Sequence, residues 1–368
     1  MTMTLNGTDG VTFNDTSLQG AAASPYVLKN RIINGAMVID QRNAGVATAN
    51  TIDGYTLDRW SANQSVTGKL VVQQTPRATE TGYATRVGAG FTSYLAVTSQ
   101  SAYSILSSSY YAVCQYIEGL NIADLAWGTS NAKTVTLSFF VYSSLTGTFG
   151  GALRNNGNTR SYPFTYTISS ANTWTQISVT IAGDQSGTWL TTNGVGLNIL
   201  FGLGVGSTYS GTSGSWAGAN YLSATGATSV VGTSGATWYV TGVQLEQNTV
   251  ATPFERRLYN QELANCQRYY QISKLFPCIY NSSTGVVSSA TLKCSMRAAP
   301  TLAQQGVIQI TSGTADVTQS STSITLLDND SDFAFFVLGN FSSLVAGQAY
   351  IGTRGSANKN GVTLSAEL

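Results

Sequence analysis

The sequence predicts an all-β protein: a jelly-roll β-sandwich, then one linking α-helix, then a second, smaller β domain. Three observations carry this. Of 368 residues, 48 are Thr and 42 Ser, beside 38 Gly, while only 10% are charged. Thr suits strands, and Ser and Gly suit the turns between them. Apolar residues also recur at alternate positions in many short runs separated by turn clusters. A helical spacing of apolar residues stands out at one place. The length allows two or three domains and a sizeable core.

Residues 1–30 are polar and rich in Gly and Thr. Leu5, Val11, Phe13 and Leu18 are their well-separated apolar points before Ala21–Ala23. That is too little apolar area for a domain standing alone, so the segment needs a partner, either another copy or a larger assembly. Residues 31–254 read as strands. Thr134–Tyr142 (TVTLSFFVY) alternates and then runs apolar, as a strand buried in a sandwich does. Phe164, Tyr166 and Ile168 alternate with threonines. Thr173–Ile181 places Trp174, Ile177 and Val179 in a further run, and Trp238–Leu245 places Trp238, Val240 and Val243 inward. Trp60, Trp174 and Trp238 are assigned to core packing. Gly147, Gly150–Gly151, Asn155–Gly157 and Asp184–Gly187 punctuate the runs as turns. Such a pattern specifies a sandwich or jelly roll.

Gly204–Gly235 is a long stretch of Gly, Ser, Thr and Ala that carries Tyr209, Trp216 and Tyr221. A loop of that length is functional or an oligomer contact. Pro253 then precedes the predicted helix, Phe254–Ile272, in residues 255–272 of which Tyr259, Leu263, Cys266 and Tyr270 make one apolar stripe. Two readings of this helix stand: packing on a sheet, or on its own copies about a threefold axis. Residues 273–368 return to β, with strands expected at Val307–Ile310, Ser323–Leu327, Phe333–Leu338, Gly347–Thr353 and Val362–Leu364. The aromatic Phe333–Phe336 reads as core. No strict repeat of β-helix length occurs.

Composition excludes several chemistries. Eighteen basic and 17 acidic residues leave a net charge of +1, without the basic footprint of a nucleic-acid binder. Histidine is absent, which removes Ser-His-Asp and Cys-His catalysis and His-ligated zinc. The opening MTMTLNGTDG predicts no secretory signal, and Val195–Gly206 is too short and glycine-rich to span a bilayer. The expectation is a soluble protein made in a cytoplasm. Cys114, Cys266, Cys278 and Cys294 form no CxxC pair and read as buried thiols, with a Cys278–Cys294 bridge left open.

Glycoside hydrolysis needs two carboxylates facing each other across a sugar. Asp184, Glu118, Glu246 and the cluster Asp328, Asp330, Asp332 are the candidates, and no spacing brings two together, so no catalytic residue is assigned. The cluster resembles the start of a calcium loop but lacks its glycine and distal glutamate, so no metal is assigned. Gly202, Gly204 and Gly206 match no phosphate-binding fingerprint and read as room for a second backbone, and no cofactor is expected. Arg256–Arg257 reads as a solvated helix face or a grip on a neighbouring subunit. Tyr209, Trp216 and Tyr221 are the candidate glycan-binding set, since ring faces stack on the apolar faces of pyranoses. The competing reading is that these rings anchor the loop.

Several segments, in order, resemble a known group. TLNGTDGVTFNDTSLQG, KNRIINGAMVIDQRNAG, YTLDRW, VCQYIEG, TVTLSFFVYSS, WTQISVTIAGDQSGTW, WYVTGVQLEQ and ATPFERRLYNQELANCQRYY look like the segments of tailed-bacteriophage fibre and virion structural proteins, across residues 1–270. MRAAPT and the terminal LSAEL are similar to that group's trailing domain. The resemblance implies a jelly roll akin to carbohydrate-binding modules, in a homotrimer, on the exterior of a virion assembled in the host cytoplasm. It implies a structural protein and not an enzyme. It carries over no sugar-contacting residue. The expectation is a tail fibre docked on other virion proteins through residues 1–30, with Leu5, Val11, Phe13 and Leu18 as its attachment points. The β domains would face the host and its surface polysaccharide, with no nucleic acid and no membrane insertion. A head fibre or capsid decoration protein, and a glycan hydrolase, are the alternatives.

Overall fold

In a computed structural model of the chain the described residues are 29–49, 54–76, 90–273, 275–305, 308–312, 315–321, 323–341, 344, 349–354 and 361–368, preceded by three short strands. Those three, Thr4–Asn6, Gly10–Thr12 and Leu18–Gln19, pair antiparallel, with Leu5 opposite Val11 and Leu18 opposite Thr12. Phe13 and the side chains of Leu5, Val11 and Leu18 lie outside the described residues.

Two six-stranded antiparallel sheets form a sandwich. The first runs Thr175–Ile181, Val135–Ser143, Thr237–Glu246, Ser93–Ser99, Leu70–Pro76, Thr48–Ala49. The second runs Ser161–Ile168, Gly147–Arg154, Val195–Val205, Tyr110–Glu118, Trp60–Gln64, Gly54–Leu57. The chain crosses repeatedly between them, which is the jelly-roll path. Alternate residues of both sheets meet in one core, where Phe201 lies 5.0 Å from Phe139 and 5.5 Å from Trp238. Trp60 and Trp238 are fully buried, and their indole N–H groups donate to Asn34 O at 3.1 Å and Tyr166 Oη at 3.0 Å. Burial of such a ring without that partner would leave a donor unpaired.

Trp238, Val240 and Val243 all face this core, although 240 and 243 are an odd number apart. A β-bulge opposite Ser138–Phe140 resets the face, with Gly242 at φ 62°. A Cβ on Gly242 would also come within 2.6 Å of the Phe91 ring. Trp174 is buried, as its assignment to core packing expects, but in a separate cluster. It precedes the strand Thr175–Ile181 and packs with Tyr94 and Tyr142 on the first sheet's outer side, away from the inter-sheet core.

Beyond the sandwich, Tyr270–Ser273, Gly361–Ser365 and Thr301–Gln305 form a three-stranded sheet. A seven-stranded sheet runs Ala315–Ser321, Ile308–Ser312, Ala349–Arg354, Leu275–Ser282, Gly285–Thr291, Phe333–Gly339, Ser323–Asn329. They share a second core that includes Val286, Phe336, Leu338, Val362 and Leu364. Phe333–Phe336 is core only by half: Ala334 and Phe336 point in, whereas Phe333 and Phe335 point out, because a strand alternates.

The helix is shorter than its spacing predicts, spanning Tyr259–Gln267. Tertiary hydrogen bonds hold the flanks in other forms. Glu255 N donates to Gln244 Oε1 at 2.8 Å, and Arg257 donates to the carbonyls of Asn30 and Ile32, so the chain before Tyr259 stays extended. Tyr270 belongs to a strand paired with Gly361–Ser365. The predicted stripe is therefore divided. Tyr259 is exposed, Leu263 half-buried, Cys266 buried on the helix, and Tyr270 buried on the strand. The helix buries Glu262, Cys266 and Gln267, a mostly polar face. Glu262 accepts from Asn34 N and pairs with Arg257.

Charged groups join the two β units. Glu367 pairs with Arg42 at 2.5 Å and with Arg59, whose guanidinium lies 3.6 Å above the Tyr269 ring. Glu118 takes Arg268 at 2.8 Å and the Tyr269 hydroxyl at 2.7 Å. Among the described residues no helix is long and apolar enough to cross a membrane.

Candidate functional site

Along Tyr110–Glu118, Tyr111, Val113 and Ile117 enter the core, which leaves Tyr110, Ala112, Cys114 and Tyr116 on the second sheet's outer face. Neighbouring strands add Leu200 and Ala152 to that face, so its middle is floored by short or apolar side chains. The stretch after Val205 folds back over it. Ser210–Gly211 pairs in parallel with Ser223–Ala224, and Leu222 packs on the floor. Glycine makes this approach feasible. A Cβ on Gly202 would lie 2.6 Å from Ser223 Oγ, and one on Gly150 closer still.

Sheet and loop enclose an open groove of about 310 Å³, at the small end of the ~300–1,000 Å³ typical of ligand sites. Its floor is Ala112 and Leu200, with Leu222 on the loop side. Tyr110, Tyr116 and Tyr209 are its rings, and Tyr110 meets Tyr209 edge-on at 5.8 Å. Asn63, Arg154, Asn158 and Asn220 are its polar groups. Asn63 Nδ2 donates to Tyr116 Oη at 2.9 Å. The Cys114 thiol beside it, together with burial, pushes the Tyr116 pKa up, so the phenol stays protonated at neutral pH. Arg154 Nη1 donates to Asn220 Oδ1 at 2.5 Å, while its Nε is buried without a hydrogen-bond partner. Asn198 stands in register between Tyr116 and Arg154, its Oδ1 likewise buried and unpartnered. No acid lines the groove. Rings beside amides and one guanidinium suit a polyhydroxylated ligand with an apolar face.

The three loop aromatics do not come together. Tyr209 lines the groove. Trp216 is half-buried 5.3 Å from Trp127 and 5.4 Å from Trp189, and its indole N–H donates to Ala182 O at 2.7 Å. It fixes the loop to the sandwich. Tyr221 lies against Gly211, where any Cβ would enter its ring. Asn63, Tyr110, Tyr116 and Arg154 are groove residues that the sequence reading missed. The available signal was tyrosine at the outward positions of an otherwise apolar strand.

Most of the candidate carboxylates are engaged locally. Asp184 takes a two-pronged pair from Arg160 at 2.6 and 2.7 Å. Glu246 accepts from Thr252 N at 2.8 Å and Thr252 Oγ1 at 2.7 Å. Glu118 serves the junction. Asp330 Oδ1 accepts from Asp332 N at 2.7 Å, an acid closing its own turn. Among the described residues no group of three or more His, Cys, Asp or Glu is placed to hold a metal ion. All four cysteines are free thiols, Cys278 and Cys294 included. Arg256 and Arg257 are not on a helix face: Arg256 donates to Gly90 O and lies over Phe91, and Arg257 is buried against Glu262.

No protein-family model matches the sequence, and no curated protein matches it either. Several solved structures match parts of the chain. The enzymatically active domain of tailspike protein 4 from bacteriophage CBA120 is 11% identical with a TM-score of 0.34, over 62% of this chain and 22% of that one. A putative sugar binding protein from Bacteroides thetaiotaomicron is 12% identical, with a TM-score of 0.33, over 60% of this chain and all of that one. A family 11 carbohydrate-binding module from Clostridium thermocellum is 11% identical, with a TM-score of 0.27, over 55% of this chain and all of that one.

Proposed function

We propose that the protein is a non-enzymatic tail-fibre component of a tailed-phage particle, binding host surface polysaccharide in the groove of its second sheet. The observation that carries the binding reading is the groove itself. Three tyrosines, three asparagines and an arginine converge on one apolar floor in a chain of which only 10% is charged. The ordered set of fibre-like segments supports the particle reading. A decoration or head-fibre placement uses the same groove. Self-association as a homotrimer belongs to the same reading, with Ile279, Phe333 and Phe335 exposed on the seven-stranded sheet. The carboxylates held in ion pairs and turns favour binding over hydrolysis.

The test is binding of purified protein to a panel of bacterial surface polysaccharides, with released reducing ends read in the same samples. Binding without release is expected. Tyr116→Ala and Tyr209→Ala should each weaken it about tenfold through lost ring stacking and burial. Binding that neither substitution changes overturns the groove assignment. Release of reducing ends overturns the non-enzymatic reading.

A further inference from the structure

The groove holds a charge that the fold leaves uncompensated. Arg154 ends the strand Gly147–Arg154 with its side chain in the groove wall. Most buried or half-buried arginines here face a carboxylate: Arg42 and Arg59 face Glu367, Arg160 faces Asp184, Arg257 faces Glu262, and Arg268 faces Glu118. Arg154 has one hydrogen bond, to the neutral amide of Asn220, and a buried Nε with none. A cation withdrawn from water is costly unless paired. Burial pulls its pKa below the ordinary arginine value, and the groups that offset this are the neutral Tyr116 and Cys114. Neutral hydroxyls are already served by Asn63, Asn158 and Asn220, and a desolvated guanidinium gains most from a ligand that carries a compensating charge.

We infer, resting on the glycan reading, that the saccharide taken by this groove carries an oxyanion, such as a uronate carboxylate or a sulfate ester, which Arg154 receives. The planar fork of donors matches such a group. Tyr110 and Tyr209 face the sugar ring. The preference is local, because the chain's net charge of +1 gives no general attraction for polyanions.

The experiment is titration calorimetry of the full chain with oligomers of glucuronate, galacturonate and mannuronate. The same oligomers as methyl esters, sulfated oligosaccharides and neutral gluco- and galacto-oligosaccharides complete the set. Arg154→Gln, Arg154→Lys and Tyr209→Ala are compared with the unaltered protein. The expected result is binding of a charged oligomer that weakens about 10- to 100-fold on esterification, the effect of losing a charge-assisted hydrogen bond. Arg154→Gln should erase the acid-to-ester difference, and Arg154→Lys should retain part of it. Preference for the sulfated oligomers supports the inference with a sulfate ester as the oxyanion. Equal affinity for acid and ester, or a difference that survives Arg154→Gln, overturns the oxyanion inference and leaves glycan binding standing. Binding of neutral oligosaccharides alone does the same. No binding to any member overturns both. The acid-against-ester comparison in the unaltered protein requires no variant to fold.

Discussion

Glu367→Gln should destabilise the protein far more than the loss of an exposed surface charge would. The Glu367 side chain is 8% exposed and receives Arg59, 1% exposed, and Arg42, 14% exposed. Burial alone would lower the Arg59 pKa, and Glu367 with Tyr55 and Tyr269 holds it above the ordinary arginine value. Taking away the carboxylate leaves a buried cation whose remaining partners are the Tyr116 carbonyl at 2.5 Å and the Tyr269 ring. Removing one member of a buried pair typically costs about 3–5 kcal/mol, because the other stays buried and unpaired. The cation–π contact offsets part of this, up to about 2 kcal/mol. The net expectation is about 2–4 kcal/mol, read from urea unfolding followed by tryptophan fluorescence. Asp124→Asn is the internal control. Its pair with Arg31 has better geometry, at 2.7 and 2.5 Å, but Asp124 is 52% exposed, and such a pair is worth about 0–1 kcal/mol. Geometry without burial therefore predicts the opposite ranking. If Glu367→Gln costs no more than Asp124→Asn, the junction does not depend on buried charge and the argument fails. Replacing both partners, as Arg59→Met with Glu367→Leu, should recover much of the loss.

Two further outcomes follow from local environments. Asp58 is almost wholly buried, and desolvation raises its pKa from 3.8 to about 6 against the opposing effect of Arg42 and two bonds from Gln41. Its folded pKa exceeds its unfolded value, so folding takes up a proton between about pH 4 and 6, and this contribution is present below that window and lost above it. Its full size is about 3 kcal/mol. Urea midpoints of wild type should therefore fall relative to Asp58→Asn between about pH 4 and 6, and parallel midpoints would contradict the assignment. Trp216→Ala should cost about 2–3 kcal/mol, at the low end for tryptophan because the ring is half-buried. It should weaken glycan binding less than Tyr116→Ala does; an equal or greater loss of affinity would put Trp216 in the site.

Much of the sandwich is legible because a strand between two layers declares itself. Val135–Ser143 and Thr237–Glu246 depart by a single residue from the runs expected at Thr134–Tyr142 and Trp238–Leu245. Apolar side chains at alternate positions leave little else for those segments to be. Gly285–Thr291 and Thr301–Gln305 are strands whose Ser, Thr and Gln show no such pattern, and they went unread. The helix was over-extended for a different reason. Residues 254–258 and 270–273 have helical composition, but distant partners, Asn30 and Ile32 for Arg257 and Gly361–Ser365 for Tyr270–Ser273, hold them extended. Tertiary contacts outweigh a propensity of a few tenths of a kcal/mol per residue. The groove is hidden for a third reason. Asn63, Tyr116, Arg154 and Asn220 come from four distant segments, and their meeting depends on strand order, which no local pattern encodes.

The segments that carry the resemblance to phage virion proteins converge in space, and not on the groove. Asp58 and Arg59 come from YTLDRW, Glu118 from VCQYIEG, Arg257 to Tyr270 from the helix segment, and Glu367 from LSAEL. They interlock as Arg59 with Glu367, Glu118 with Arg268 and Tyr269, and Arg257 with Glu262. Such a cluster tolerates little change, since any single loss leaves a buried charge alone. The groove is built otherwise. Asn63, Tyr110, Arg154, Asn158, Tyr209 and Asn220 all lie outside those segments. Within the groove Asn63 bonds Tyr116 and Arg154 bonds Asn220. The groove meets the junction through Tyr116, whose carbonyl receives Arg59 and whose ring lies 6.4 Å from that of Tyr55, and the carbonyl is supplied by any residue at 116. A frame locked by buried charge can thus carry a groove whose side chains change without disturbing it. The resemblance therefore follows the architecture, whereas any ligand preference of the groove rests on Arg154 and its surroundings.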